Sequence, residues 1–176
     1  MKTSTPLVSV ALMSYNQKDY IQQAMDCILA QETDFPYEIV VGDDGSTDGT
    51  RSIALDYQDK FPTMIRVLPK GPNQKVLKNF RDTVKACQGK YVAVCHSDDF
   101  WHDPKKLQKE VEFLENNPDY GAVHTDAHFL LTSNNALIEN YNARYQPQVP
   151  DGDIFEALIA YRFFINTLTV CFRKSL

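Results

Sequence analysis

The chain has no apolar run approaching the ~20 residues of a membrane span, and its N-terminal stretch MKTSTPLVSVALMSYN is punctuated by Ser9 and Ser14, unlike the unbroken core of a secretory leader. It is short of positive charge: 18 Lys and Arg stand against 23 Asp and Glu, a net of -5. That balance excludes a nucleic-acid binder working by neutralising backbone phosphates. Cys27, Cys87, Cys95 and Cys171 form no C-x-x-C pair and have no paired histidines nearby. Neither a zinc site nor a disulfide framework is expected, and the thiols read as buried groups of a reducing cytoplasm. There is no internal repeat and no low-complexity tract.

What is present is a patterned core. With 43% hydrophobic residues in 176, residues 1–176 read as one domain large enough to bury a real core. Val8 to Met13, Tyr37 to Val41, Ile65 to Leu68 and Tyr91 to Cys95 are short apolar runs of the kind found in strands buried on both faces. Between them, Ile21, Ala24, Met25, Ile28 and Leu29 recur at helical spacing, as do Ile53, Ala54 and Tyr57. Val76 to Cys87 reads as a helix with Leu77, Phe80, Val84 and Cys87 inward and Gly89 as its stop. Asp103-Pro104 opens another, with Leu107, Val111 and Leu114 inward and a Lys106–Glu110 pair outside. Strand, helix, strand, helix predicts a doubly wound, mostly parallel α/β sheet with helices on both faces.

Beyond about residue 115 the pattern loosens into a mixed region. Tyr120 to Leu131 reads as a strand, Asn134-Asn135 as a hairpin turn, Asp153 to Tyr161 as a short helix and Thr167 to Phe172 as a last strand. The end at Lys174-Ser175-Leu176 carries no stop signal, which suggests an excised domain.

The chemistry concentrates where buried strands break into acids. EIVVGDDGSTDGT places Asp43 and Asp44 after one strand, with Gly42 ending it. YVAVCHSDD places Asp98 and Asp99 after another, and Ser14-Tyr15-Asn16 follows the first, with Asn16 a candidate helix cap. In open α/β sheets ligands settle outside the carboxyl ends of the strands. Adjacent carboxylates repel unless a hard cation intervenes, and Mg²⁺ or Mn²⁺ takes one or two carboxylates with waters and substrate phosphates. A metal-bridged nucleoside diphosphate is the natural occupant.

VSVALMSYN, EIVVGDDGSTDGT and GKYVAVCHSDDFWHDPKKLQKEVEFLENNP, in that order over two thirds of the chain, resemble the family 2 glycosyltransferases. The resemblance implies the Rossmann-like GT-A fold, with 1–100 as the nucleotide-binding half and 101–176 as the start of an acceptor half. It implies metal-dependent transfer of a sugar, with inversion, from a nucleotide sugar, usually a UDP-sugar, to a hydroxyl of a carbohydrate or glycolipid acceptor in polysaccharide or glycoconjugate synthesis. Carried over by motif, Tyr15 lies against the base, Asp44 holds it beside Asp43, Asp98 faces the ribose and the cation, and Asp99 binds the cation, Mn²⁺ or Mg²⁺. Trp101 walls the sugar pocket. Lys78-Asn79 stands where many relatives have Arg-Asn, which keeps the charge but loses the planar fork. Met13 replaces a small hydroxyl residue.

The resemblance puts the catalytic base beyond Leu176. The late acids Asp126, Asp151, Asp153 and Glu156 lack its context, and His96 and His124 read as structural. The expected location is the cytoplasm, with contact at the inner membrane face through other parts of a longer protein. Two other readings remain open. A sugar nucleotidyltransferase would need a glycine- and arginine-bearing loop where this chain has Ser14 to Lys18, and a non-catalytic domain would bind nucleotide or glycan alone.

Overall fold

A computed structural model describes residues 5–145, 152–160 and 162–176. Val8–Ser14 forms β1, buried along its whole length. There follow α1 (Ile21–Leu29), β2 (Tyr37–Asp43), α2 (Thr50–Lys60), β3 (Ile65–Val67), α3 (Val76–Ala86), β4 (Tyr91–His96) and α4 (Lys106–Asn116). The remainder comprises β5 (Ala122–His124), β6 (Phe129–Leu131), β7 (Ala136–Ile138), the short helices α5 (Tyr141–Tyr145) and α6 (Phe155–Ile159), a 3-10 turn at Thr167–Thr169, and β8 (Val170–Arg173). Tyr161 and Asp151 lie outside the described residues. No helix among those described is long and apolar enough to cross a membrane.

The main sheet runs β3-β2-β1-β4-β8-β5. β1 pairs in parallel with both β2 and β4, and β2 with β3. β8 is inserted antiparallel between β4 and β5, which gives the mixed flank. Alternation along β1 explains its double burial. Val8, Val10 and Leu12 join the larger core with Ile21, Met25, Ala54, Leu107 and Leu114 from α1, α2 and α4. Ala11 and Met13 face a smaller core closed by Phe80 and Val84 of α3.

Several expectations are corrected. Gly42 does not end β2, which continues to Asp43 because β1 still pairs with it there (Ser14 with Asp43). Gly42 lets α3 approach, since a Cβ would stand 1.9 Å from Thr83 Oγ1. Leu77 is not inward but 84% exposed. Asn79 Nδ2 already reaches Gly42 O at 2.8 Å, so the preceding turn of α3 has no strand beneath it. Gly89 is not a helix stop: α3 ends at Ala86, and Gly89 is wedged against β1. The stretch from Tyr120 to Leu131 is two strands, because the chain turns at Asp126, and the last strand begins only after the 3-10 turn. Asn134-Asn135 does make the β6–β7 hairpin, with Asn135 at φ 54.

The Lys106–Glu110 pair is inside rather than outside, 7% and 2% exposed, with Nζ and Oε1 2.5 Å apart. Burial pushes the Glu110 carboxyl up to about 7, against the opposing pull of Lys106.

A Cβ on Gly89 would lie 2.5 Å from Ser9 N and 2.7 Å from Val8 C, both backbone atoms that cannot yield cheaply. Gly89→Ala is expected to cost about 1–3 kcal/mol in urea unfolding. Because the Glu110 pKa is raised in the folded state, its contribution to stability is complete below about 4.5 and declines as pH rises to about 7. Measured from pH ~5 to ~8, wild type should lose on the order of 3 kcal/mol relative to Glu110→Gln; parallel pH profiles for the two would contradict this.

Candidate functional site

The carboxyl ends of β2, β1 and β4 lie side by side. Ser14 is in register with Asp43, and Met13 with His96. The chain leaves these strands while still tied to the centre: Asp44 N donates to Ser14 O at 2.9 Å and Ser97 N to Met13 O at 3.0 Å. The two acid pairs therefore flank β1 on one edge of the sheet, about 10 Å apart by the spacing of two strand intervals. The connectivity reverses here, with β2 on one side of β1 and β4 on the other, which is the switch point where open α/β sheets form a crevice.

The turns after β1 and β2 are laced together. Asn16 N donates to Ser46 Oγ and Gln17 N to Thr50 Oγ1, while Thr47 N donates to Asn16 Oδ1 and Lys18 N to Asp48 Oδ2, all at 2.8–3.1 Å. Asn16 is thus a bridge rather than a helix cap; the residue before α1 is Tyr20, with no side-chain cap bond. Asn16 adopts φ 51, and Gly45 and Gly49 supply the other left-handed positions. Gly45 also admits a third loop, since a Cβ there would stand 3.0 Å from Asn73 N and from Gly71 O. From that loop Gln74 N donates to Asp44 Oδ1 at 2.6 Å.

The acids have different partners. Asp43 is 7% exposed; its Oδ2 accepts Ser46 N at 3.3 Å and lies 3.8 Å from Arg51 Nη1. The chain itself therefore supplies a cation for Asp43. Asp43 Oδ1 and the neighbouring Ser14 Oγ are buried and have no hydrogen-bond partner. Asp98 is exposed and accepts only a side-chain amide, Gln17 Nε2 at 3.3 Å. Among the described residues neither Asp98 nor Asp99 has a lysine or arginine within ion-pair distance. Burial, and then the charge of Asp98, raise the Asp99 pKa. Two hard oxygen donors crowded together without a cation of their own fit Mg²⁺ or Mn²⁺. No group of three or more acidic, histidine or cysteine ligands occurs among the described residues, so such an ion would complete its shell with water and ligand oxygens.

Tyr15 is 48% exposed beyond the end of β1, with its ring available rather than packed in the core. Lys78 is also at the surface, its Nζ shared with Asp82 at 3.0 Å. Trp101 is placed otherwise than expected. It is 5% exposed, its Nε1 donates to Leu168 O at 3.0 Å, and its N–H points to Cys27 Sγ at 3.1 Å, so it is a core residue beneath the acids rather than an open wall.

Asp126 is consumed as a helix cap for α5. Its carboxylate accepts the N–H groups of Asn142, Ala143 and Ala127. Burial acts to raise its pKa, but these donors outweigh it and hold the pKa low. Glu156 lies 3.8 Å from Arg162 in an exposed pair, Asp153 is exposed, His124 Nδ1 is 3.3 Å from Thr125 O, and His96 Nε2 is 3.2 Å from Thr167 Oγ1. The four cysteines are free, three of them buried. Sequence reasoning missed Ser14, Gln17, Arg51 and Gln74. The first stands inside the SYN motif; the others have no local signature.

The family profile described as Glycosyl transferase family 2 matches residues 9–176. TuaG of Bacillus subtilis, named provisionally as a teichuronic acid biosynthesis glycosyltransferase, is 38% identical over 109 residues, 62% of this chain and 42% of that protein. Two solved structures resemble it. The mannosyltransferase PcManGT from Pyrobaculum calidifontis, in complex with GDP-Man and Mn²⁺, has a TM-score of 0.61 at 27% identity over 69% of this chain and 36% of its own. S. aureus TarS 1-349 in complex with UDP has 0.55 at 28% identity over 63% and 32%. The chain spans about a third to a half of the curated relatives it matches, from 32% to 52%.

Asn16→Ala removes the bond from Thr47 N and forces alanine into a left-handed conformation. It should cost about 2 kcal/mol, and Asn16→Gly about half that because the conformational cost is relieved, both read by urea unfolding.

Proposed function

This chain belongs to glycosyl transferase family 2, and from that premise we propose that it forms the donor-binding part of an inverting enzyme that moves a sugar from a UDP-sugar to a hydroxyl of a carbohydrate or glycolipid acceptor. The observation that carries this reading is the placement of the two acid pairs on either side of β1 at one sheet edge, one pair with its own cation and the other without.

In this reading the exposed face of Tyr15 stacks on the base, an interaction worth about 1–3 kcal/mol. Asp44, fixed by Gln74 N–H, accepts the imide N–H of uracil. Asp43 stays ionised beside Arg51 and presents its unpartnered oxygen, with Ser14 Oγ, to the nucleoside. Asp98 meets the ribose, and Asp98 and Asp99 hold the divalent ion. Lys78, exchanging Asp82 for phosphate, lies on the diphosphate side. The ion, when bound, neutralises charge developing on the departing diphosphate. Transfer joins the acceptor oxygen to the anomeric carbon as the bond to the diphosphate oxygen breaks, and the acceptor proton passes to a general base. Asp126 cannot serve, because its oxygens are committed to α5; a base outside residues 1–176 is part of the proposal. The named partners of the two structural neighbours, GDP-Man with Mn²⁺ and UDP, support a nucleotide-sugar donor and a metal.

Thermal-shift measurements with UDP and GDP, with and without Mn²⁺, test it. UDP with Mn²⁺ at a hundredfold excess over Kd should add about 2.7 kcal/mol and raise Tm by roughly 5–10 °C, an effect lost in Asp99→Ala. Nucleotide binding that ignores both the metal and this substitution would overturn the reading.

A further inference from the structure

The buried Lys106–Glu110 pair has no evident role in stability. Lysine precedes glutamate at i,i+4, the less favourable order, and Lys106 puts a positive charge in the first turn of α4, where the helix dipole opposes it. Glu110 Oε2 is buried without a hydrogen-bond partner. Desolvating two charges in this way is often worse than filling the space with apolar side chains.

The geometry gives the pair another task. Lys106 Nζ stands 4.6 Å from the centre of the Trp101 ring, so the cation is gripped between a carboxylate and an aromatic face. Trp101 is also bonded to Cys27 of α1 and to Leu168 before β8. The Cys27 thiol is itself oriented, donating to Ala24 O at 3.1 Å. The turn that carries Asp98 and Asp99 is therefore tied at both ends: to β1 through Ser97 N and Met13 O, and to the core through Trp101. Between these ties, Asp99 N donates to His96 O at 3.1 Å, and the two carboxylates stay adjacent despite their repulsion.

We propose that the buried Lys106–Glu110 pair is a positioning device that fixes Trp101, and through it the turn that presents Asp98 and Asp99 to a divalent cation. The inference rests on the donor-site reading of those two aspartates. Lys106 and Glu110 touch neither ligand nor metal; they set the orientation of residues that do, as outer-shell partners of metal sites do elsewhere.

Trp101 is the only tryptophan, so intrinsic fluorescence reports on it alone. The full 176-residue chain is compared with the double variant Lys106→Met/Glu110→Leu, which removes both charges at similar volume, and with Lys106→Arg, which keeps a cation over the ring. At about pH 8, where Glu110 is ionised, Mn²⁺ is titrated in the presence of UDP and quenching of Trp101 is followed. Tm and acrylamide access to Trp101 are measured without metal. The double variant should keep or raise Tm, admit more acrylamide, and need about tenfold more Mn²⁺ for half-maximal quenching; Lys106→Arg should stay within about threefold of wild type. A folded double variant with wild-type Mn²⁺ response and wild-type acrylamide access would overturn the proposal. If wild type itself responds to neither Mn²⁺ nor nucleotide, the donor-site reading fails, and unchanged acrylamide access in the double variant then overturns the positioning of Trp101 as well.

Discussion

Parallel pairing of β1 along both of its edges is the constraint on which the rest of the structure depends. A strand hydrogen-bonded in parallel on each side must have neighbours that end where it ends, so whatever follows β1, β2 and β4 converges on one edge of the sheet. Three turns separated by many residues in the chain are thereby brought together without contacting one another in sequence. The hydrogen bonds that lace Asn16, Gln17 and Lys18 to the Ser46–Thr50 turn refine an arrangement that the sheet has already imposed.

On that edge the charges are distributed unequally. Arg51 comes from the first turn of α2 to stand beside Asp43, so this side can bury a carboxylate without outside help. Asp98 and Asp99 have no such partner among the described residues, and burial with mutual repulsion raises the Asp99 pKa. A site divided in this way suits a ligand with a neutral hydrogen-bonding base at one end and a metal-compensated diphosphate at the other. The cost of holding two unpaired carboxylates together is met from below, where Trp101 is fastened by Leu168, Cys27 and the Lys106–Glu110 pair.

Much of this was legible in the residues. The buried runs at Val8, Tyr37 and Tyr91 announce strands, the acids after them announce an edge with chemistry, and the motifs around Tyr15, Asp43-Asp44 and Asp98-Asp99 point to the family that the profile match establishes. The failures share a cause. Leu77 sits at helical spacing with Phe80 and Val84, but periodicity cannot show that the first turn of α3 has no strand beneath it. Lys106 and Glu110 look like a surface pair in any helical projection, and only the arrival of Trp101 and β8 over α4 buries them. Asp126 resembles a spare acid until the chain doubles back and presents the start of α5 to it.

What the sequence determined by itself is local and periodic: which segments are buried strands, which are helices, where the backbone needs left-handed residues, and which acids stand at strand exits. These follow from side-chain size, alternation and backbone sterics within a few residues. Tertiary structure decided which acids are compensated by a cation, which aromatic is exposed and which is buried, and which ion pair lies inside. Each of those depends on what packs against the residue from a distant part of the chain, because burial and electrostatic partnership are properties of the assembled neighbourhood.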